Sequence, residues 1–457
     1  MESVTRNINI GARLDRLPNS KWHVKIWLVT AFSLLVNWSN AIGGSVQNIL
    51  LNEIHWLEPG TALLAMWSTI FMGGQLIGAL LGGPLGDRIG RKKSILLYQI
   101  THIVVMIGGA LAPNIYVLYV FRLLQGMAFG ALIMVLFAGF TEYVPGRNRG
   151  GWSARMSFIG NWSHPVSNGV AFLIVASGVS FAANWRIQFI IPSILAIFAT
   201  IFIAKKFPES PRWLESQGRI DEADAIMTKI ENEIELSTGQ KLPEITEAPK
   251  PINKLSYAEL FKGKLLKRVV VGSLVLIGMN TIQGTLMNWM PSMLRDLGFD
   301  TSQSQLMTMF GLFGAPIGIF IASLIMDKIP RRTMGVILLV TMTVMGIITS
   351  QQTNMMGLMA STILLNTFIF MYVCYASAVY VPEMWPTSAK LSGSGFCNAV
   401  GRLSNIFFPF LVTFVANSFG PSGVFILISI VAAIIAVSIL LFGVETRGES
   451  VEDITVS

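Results

Sequence analysis

The chain has 457 residues, of which 53% are apolar and 13% are charged, and its mean hydropathy is +0.61. Soluble domains carry about 25% charged residues, so this composition excludes a protein whose surface faces mainly water. The formal charge of +8 could indicate a nucleic-acid partner, but Lys and Arg cluster in loops that alternate to one side. We therefore read the charge as a topology signal and expect no nucleic-acid partner.

Apolar segments close to the ~20 residues that cross a lipid bilayer recur along the whole chain. We expect an all-α membrane protein with twelve spans, at residues 26–50, 61–85, 94–112, 115–141, 153–178, 187–205, 268–291, 303–326, 333–349, 355–381, 391–415 and 421–443. One long polar stretch divides these spans six and six.

The domain organisation follows from that division. We expect an N-terminal segment at 1–25, a six-helix half at 26–205, a linker with short helices at 206–267, a second six-helix half at 268–443 and a tail at 444–457. Most Lys and Arg lie on the side of the termini and linker, and the opposite loops carry only Arg186 and Arg295. By the positive-inside rule, both termini are cytoplasmic. The start of the chain is charged, so no cleavable signal is expected.

Short charged motifs recur at an offset of about 240 residues. Residues 87–92 match residues 327–332, and Glu142 matches Glu383. Residues 208–212 match residues 444–448 more loosely. Each match follows the same span within its half, which indicates duplicated halves.

Gly86-Asp87-Arg88-Ile89-Gly90-Arg91-Lys92-Lys93 resembles the signature loop of the major facilitator superfamily. Further motifs resemble its sugar-porter branch, namely Arg122-x3-Gly126, Glu142-x2-Pro145-x3-Arg149-Gly150, Pro208-Glu209-Ser210-Pro211-Arg212, Glu383-x2-Pro386-Thr387-x2-Lys390 and Glu445-Thr446-Arg447-Gly448. Residues 11–18 and 140–147 resemble uncharacterised bacterial inner-membrane metabolite transporters of that branch. The resemblance implies a transporter with two pseudo-symmetric halves that works by alternating access, with a cavity between the halves.

The duplicated motifs predict a cytoplasmic gate, in which Glu142 and Glu383 pair with nearby arginines or lysines. Ion pairs at a partly wet boundary cost about 1 kcal/mol or less to break, so a substrate can tip the equilibrium. The alternative is that these charges only anchor helix ends. The candidate gating residues are Asp87, Arg88, Arg91, Glu142, Arg149, Glu209, Arg212, Asp327, Arg331, Glu383, Lys390, Glu445 and Arg447.

Polar side chains inside the spans predict the substrate site, because they are costly in lipid and tend to face a cavity. Asn37, Asn40 and Asn48 would share one face of a continuous first helix. Amides and aromatic faces suit a polyhydroxylated ligand, although each amide could instead bond to a neighbouring helix. The candidate site residues are Asn37, Asn40, Gln75, Asn161, Asn280, Gln283, Asn288, Trp289, Tyr372, Tyr375, Asn398 and Arg402.

Arg402 follows Lys390 by twelve residues, about 18 Å deeper on a helix. It could bind a substrate carboxylate, as in a sugar acid, or it could lock helices together through backbone carbonyls or a cavity water. The sequence leaves both readings open.

Proton coupling has no obvious acidic group, since the first span reads Asn37-Trp38-Ser39-Asn40 where many proton-coupled relatives carry Asp. His164 and Glu142 are the candidate titrating groups, and both symport and facilitated transport stay open. The chain also lacks the Gln-Gln pair before the helix-seven Asn and the Gly-Pro-x-Pro-Trp that are typical of hexose carriers. We therefore expect a small polar metabolite, such as a sugar, sugar alcohol or sugar acid, recognised differently from ordinary hexoses.

Two other functions remain as alternatives. Gly160-x4-Pro165-x3-Gly169 loosely resembles the motif of drug and metabolite antiporters, although His164 stands at a glycine position. A ligand sensor without transport would usually carry a longer tail. The chain carries no enzyme motif, so we expect no enzymatic activity. The resemblance implies a bacterial inner-membrane location, and we expect a monomer with no cofactor and no metal.

Overall fold

A computed structural model describes residues 9–37, 42–145, 149–244, 257–385 and 390–445. Within these ranges the chain forms helices and no strand. The helices of the first half are α1 Ile10–Asp15, α2 Lys21–Leu35, α3 Gly43–Asn52, α4 Ala62–Ile89, α5 Arg91–Ala110, α6 Ile115–Thr141, α7 Arg149–Asn161, α8 Ser163–Ala176 and α9 Phe181–Lys206.

The linker and the second half continue the helical pattern. The linker holds α10 Pro211–Ser216, α11 Ile220–Thr238 and a 3-10 turn, Tyr257–Phe261. The second half consists of α12 Gly263–Asp296, α13 Thr301–Leu312, α14 Gly314–Ile325, α15 Arg331–Ser350, α16 Met355–Cys374, α17 Val381–Glu383 and α18 Lys390–Phe442, with a π-helical turn at Tyr375–Tyr380.

These helices build twelve spans. In the described part of the chain, nine helical segments are long and apolar enough to cross a membrane. The last of them holds two spans, because Gly420 takes a left-handed φ of 67° and separates two arms of α18. Two further spans are each assembled from a pair of shorter helices, α2 with α3 and α7 with α8.

The first span differs from the continuous helix expected. Helix α2 ends at Leu35 and α3 begins at Gly43, and Asn37 lies between them. The single helical face predicted for Asn37, Asn40 and Asn48 is therefore wrong, because the helical register does not run through the break. Asn40 lies outside the described residues.

Close helix packing in the first half depends on small residues. A Cβ on Gly78 would lie 1.9 Å from the carbonyl oxygen of Met127, and one on Gly126 would lie 2.1 Å from that of Phe71. Helices α4 and α6 therefore touch backbone to backbone, as small residues permit inside membranes.

The two ends of the bundle differ in what covers them. At one end, which we call the linker end, α1 packs on α10 and α11. Arg13 donates to Glu231 at 2.6 Å and to Asp224 at 2.6 Å, and Arg16 donates to Glu231 at 2.6 Å. The N-terminal helix α1 is therefore fastened to the linker by ion pairs, and α11 also contacts α2 of the first half. We call the end of the bundle away from the linker the opposite end.

Candidate functional site

A cavity of about 290 Å³ lies between the two halves. Its walls come from the first half and from α12 and α18 of the second. Its lining residues are Leu34, Asn37, Met72, Gln75, Phe129, Ile133, Phe137, Ser157, Gly160, Asn161, Ser163, His164, Met279, Asn280, Gln283, Gly284, Met287, Arg402 and Asn405. The volume is near the lower end of the range for small-molecule sites, which suits a small ligand.

Six of the predicted site residues meet at this cavity, together with His164. The first half supplies Asn37, Gln75 and Asn161, and the second half supplies Asn280, Gln283 and Arg402. The mixture of amides and apolar side chains is typical of sites that bind small polar molecules. Both halves therefore contribute polar groups to one cavity.

The other predicted site residues lie elsewhere. Asn288 and Trp289 line a smaller neighbouring pocket of about 10 Å³ that shares Asn405 with the main cavity. Tyr372 donates to the carbonyl oxygen of Val275 at 3.1 Å, and Tyr375 stacks on Tyr380 with ring centroids 5.0 Å apart. Asn398, which donates to the carbonyl oxygen of Ser394, is likewise absent from the lining.

Asn405 is a site residue that the sequence analysis missed. Its Nδ2 donates to Oδ1 of Asn280 at 3.2 Å, which joins the two helices of the second half that face the cavity. Gly284 has no side chain and therefore leaves room for the Asn405 amide, since a Cβ at Gly284 would lie 3.1 Å from Asn405 Oδ1. Spacing offered a signal, because Asn405 follows Asn398 by seven residues on nearly the same helix face.

The amides of the cavity are oriented by their own helices. Asn161 donates to the carbonyl oxygen of Ser157 at 2.7 Å, and Asn280 donates to that of Leu276 at 2.7 Å. Each of these bonds uses an amide N–H and leaves the side-chain oxygen directed away from that carbonyl. The side-chain oxygen of Asn280 accepts from Asn405. The side-chain oxygens of Asn161 and Asn405 are acceptors that can face a ligand in the cavity.

Among the described residues of the cavity lining, Arg402 is the one that carries a formal charge, and none is Asp or Glu. Among the described residues its guanidinium has no hydrogen bond, ion pair or ring contact. A charged side chain at the centre of a membrane helix costs about 2.5–3.5 kcal/mol on insertion scales. The charge is therefore held at a cost, in contact with the cavity.

Other arginines in the spans are held by the protein itself. Arg122 is 1% exposed, its Nη1 donates to Gln125 at 2.7 Å, and its guanidinium lies over the rings of Trp67 and Phe71. Arg268 donates to the carbonyl oxygen of Met384 at 3.0 Å. Neither residue lines the cavity. Arg402 thus differs from these arginines in facing open space.

The cavity is closed toward the opposite end by α3 against α12. A Cβ on Gly44 would lie 2.5 Å from the carbonyl oxygen of Met287, so these helices are in backbone contact. Farther out, Arg295 Nη2 lies 3.2 Å from Glu53 Oε1, and the Thr301 hydroxyl donates to the same carboxylate. Thr69 adds a further cross-half bond, to the carbonyl oxygen of Ile406 at 2.9 Å. The two halves are therefore joined on that side of the cavity.

The linker end of the first half carries a cluster of predicted gating residues. Arg91 donates to Glu142 at 2.8 Å and to Asp87 at 2.6 Å. The Glu209 carboxylate accepts from the backbone N–H groups of Arg91 and Lys92 at 2.7 and 3.1 Å, at the first turn of α5. Gly90, with a φ of 97°, makes room for it, since a Cβ there would lie 2.5 Å from Glu209 Oε2.

The second half repeats this arrangement. Arg331 donates to Glu383 at 2.9 and 3.1 Å. The Glu445 carboxylate accepts from the backbone N–H groups of Arg331 and Arg332 at 2.7 and 3.0 Å, at the first turn of α15. The motif repeat seen in the sequence thus corresponds to two equivalent charge clusters.

The structure describes the remaining gating candidates only in part. Arg212 lies 3.7 Å from Asp15, and Arg88 is exposed. The side chains of Arg149, Asp327 and Lys390 fall outside what the structure describes, as does all of Arg447. The pairs Arg91–Glu142 and Arg331–Glu383 each lie within one half, whereas the pair of Arg295 with Glu53 joins the two halves.

The chain matches known transporters over almost its whole length. The family described as "Sugar (and other) transporter" matches residues 26–457. The protein YdjK of Escherichia coli (strain K12) is 48% identical over 100% of this chain and 99% of its own. The inner membrane metabolite transport protein YdjE of the same strain is 39% identical over 98% of each chain.

Solved structures show the same fold. The partially occluded, inward-open structure of the xylose transporter XylE from E. coli superposes with a TM-score of 0.76 and 18% identity, covering 94% of this chain and 100% of that one. At this identity the likeness concerns the fold alone. The fold is that of the major facilitator superfamily, and the chain belongs to the sugar (and other) transporter family, whose members are transporters and not enzymes.

Proposed function

We propose that this protein moves a small polar metabolite, a sugar, sugar alcohol or sugar acid, across a bacterial inner membrane by alternating access. The observation that carries the proposal is the cavity between the halves, lined by amides from both. A site shared by two bodies changes its exposure when the bodies rock against each other. A site within one half would not.

The orientation is part of the proposal. Lys and Arg concentrate at the linker end, so we infer that this end and both termini are cytoplasmic. YdjE, which matches along nearly the whole chain, is named as an inner membrane protein. The halves at 26–205 and 268–443 are taken as the moving bodies, and the linker at 206–267 as their connection.

The contacts between the two halves indicate which transport conformation this structure represents. Gly44 against Met287 and Glu53 against Arg295 lie on the outer side of the cavity in this orientation. We infer a conformation closed to the outside. In the alternative state these contacts would open and the clusters around Arg91 and Arg331 would exchange partners across the halves, with Arg149 and Lys390 as the further cations.

The choice of a polyhydroxylated ligand rests on the acceptors in the cavity. The amide oxygens of Asn161 and Asn405 can accept from hydroxyl groups, and Phe129 offers an apolar face. A bulky lipophilic drug would leave these amides unpaired, which disfavours the antiporter alternative. Transport of xylose by XylE is consistent with a sugar-like ligand but concerns a distant relative.

Purified protein in proteoliposomes tests the proposal. Hexoses, sugar alcohols, sugar acids and aromatic acids would be offered as labelled solutes, with and without an inward proton gradient. Uptake of a polyhydroxylated solute supports the proposal, and its dependence on the gradient distinguishes symport through His164 or Glu142 from facilitated transport. Binding of such a solute without uptake would instead support the sensor alternative.

A further inference from the structure

We propose that the substrate is a hydroxylated monocarboxylate, with its carboxylate on Arg402. This inference rests on the proposed function and narrows its substrate class. The starting observation is that Arg402 brings a positive charge to the cavity lining, where none of the described lining residues is acidic. A ligand that carries one negative charge would restore neutrality inside the membrane.

The charge is not explained by helix packing. An arginine that locks helices makes contacts such as those of Arg268 with the carbonyl oxygen of Met384 or of Arg122 with the rings of Trp67 and Phe71 on α4. Arg402 makes none of this kind among the described residues. Its neighbour Gly401 makes the helix contact instead, since a Cβ there would lie 2.8 Å from the Leu276 Cβ. Packing at Gly401 therefore brings α18 against α12, and Arg402 lines the cavity beside that contact.

The depth of Arg402 agrees with a substrate role. It lies twelve residues after the start of α18 at Lys390, which is about 18 Å along a helix and close to the middle of a ~30 Å hydrocarbon core. Substrate sites of two-halved carriers lie near this level. An arginine that only helped to orient the chain in the membrane would lie at the end of the helix or in a loop.

The neighbouring groups define the rest of the ligand. Asn405 lies three residues after Arg402, about one helical turn, and its Oδ1 can accept from a hydroxyl group. Asn161 offers an acceptor from the first half. A guanidinium for one carboxylate and amide oxygens for hydroxyl groups match a sugar acid better than a neutral sugar, a sugar alcohol or a dicarboxylate.

Matched pairs of probes test this proposal. Four- to six-carbon aldonates, such as D-gluconate, would be compared with their alditols, such as D-glucitol, which replace the carboxylate by a hydroxymethyl group. We expect uptake of at least one aldonate into proteoliposomes, with its alditol competing at least tenfold less well. The Arg402→Gln variant should reduce aldonate uptake at least tenfold, and Arg402→Lys should retain part of it.

Two controls keep the result interpretable. Arg155→Gln removes an exposed arginine that stacks on Trp152 away from the cavity lining, and it should behave as wild type. Thermal unfolding of each variant in detergent reports whether it folds, and Arg402→Lys keeps the charge if Arg402→Gln does not fold.

Four outcomes would overturn the inference. Equal uptake of aldonates and alditols by wild type would do so, as would retention of aldonate uptake by a folded Arg402→Gln. Preferred uptake of neutral sugars or alditols would refute the carboxylate but leave the proposed function standing. Absence of uptake for every solute tested would refute the proposed function, and this inference with it.

Discussion

Arg295 of α12 lies 3.2 Å from Glu53, just after α3, and this ion pair joins the two halves on the outer side of the cavity. Both side chains are partly exposed, at 32% and 16%. A pair of this kind contributes up to about 1 kcal/mol, which biases an equilibrium between two states without freezing it. The pair is suited to a contact that must open in each transport cycle.

Replacement of Glu53 by Gln should loosen that contact. Loss of up to about 1 kcal/mol corresponds to about a fivefold rise in opening, because 1.4 kcal/mol is a factor of ten. Hydrogen exchange of α3 measures the opening. Glu58→Gln, an exposed glutamate nearby, is the matched control and should leave exchange unchanged. Unchanged exchange in Glu53→Gln would show that the ion pair does not hold the closed side.

Replacing Gly44 by Ala should lower the stability of the protein, whereas replacing Gly73 by Ala should raise it. Within a helix, replacing Gly by Ala stabilises by about 1 kcal/mol when space allows. A Cβ at Gly73 meets nothing within 4 Å, whereas one at Gly44 lies 2.5 Å from the Met287 carbonyl oxygen. The melting temperature in detergent should therefore rise for Gly73→Ala and fall for Gly44→Ala. A rise in both would contradict the contact of α3 with α12.

The two helix-start carboxylates should behave alike. Glu209 and Glu445 each accept from two backbone N–H groups at the first turn of a helix, where a negative charge is favoured. We expect Glu209→Gln and Glu445→Gln each to lower stability by about 1 kcal/mol. Thermal unfolding in detergent measures this, with Glu58→Gln, at an exposed glutamate outside any helix, as a near-neutral control. A large effect in only one half would contradict the equivalence of the two clusters.

Docking of α1 on the linker should depend on pH. Burial alone would raise the pKa of Glu231, but hydrogen bonds from Arg13 and Arg16 outweigh it and lower the pKa from 4.5. The stabilisation is therefore complete above the unfolded pKa and is lost as the pH falls through the lower, folded pKa. The protection factor of α1, which is the exchange rate of an unfolded chain divided by the observed rate at the same pH, should be high at pH 7 and should fall on acidification below 4.5.

At pH 7, Glu231→Gln should raise the exchange of α1 at least about tenfold, because hydrogen bonds to charged groups contribute about 1.5–3 kcal/mol. Glu233→Gln breaks only the more exposed pair with Lys25 and should raise exchange less than about fivefold. Similar effects of the two variants would argue against a special role for Glu231.

The sequence predicted the architecture better than the site. The repeated motifs located both charge clusters, because Arg91 and Arg331 hold the same place in each half. Hydropathy could not reveal the break between α2 and α3, since a run of mixed polarity fits a helix as well as an unwound segment. Because the break was not expected, Asn37 and Asn48 were wrongly placed on one face of a single helix.

Depth and helix rotation decided which polar residues reach the cavity. Asn398 and Asn405 share a helix face, and only the deeper of the two lines the cavity. Tyr375 begins a π-helical turn, which changes the rotation of the following residues and leaves this side chain against Tyr380. Neither effect is visible in the spacing of polar residues.

The central claim is that solute crosses through the cavity between the halves, and a plug in that cavity tests it most directly. Gly160 lines the cavity, and a Cβ there would make only ordinary contacts with Leu34, at 3.6 and 3.7 Å. Gly151 lies on the same helix α7, where a Cβ meets nothing within 4 Å, so Gly151→Trp is the matched control.

The measurement is solute uptake into proteoliposomes by wild type, Gly160→Trp and Gly151→Trp, each shown to be folded. We predict uptake of a small hydroxylated solute by wild type and Gly151→Trp, and at least a tenfold loss in Gly160→Trp. Uptake by Gly160→Trp at the wild-type rate would contradict a path through this cavity.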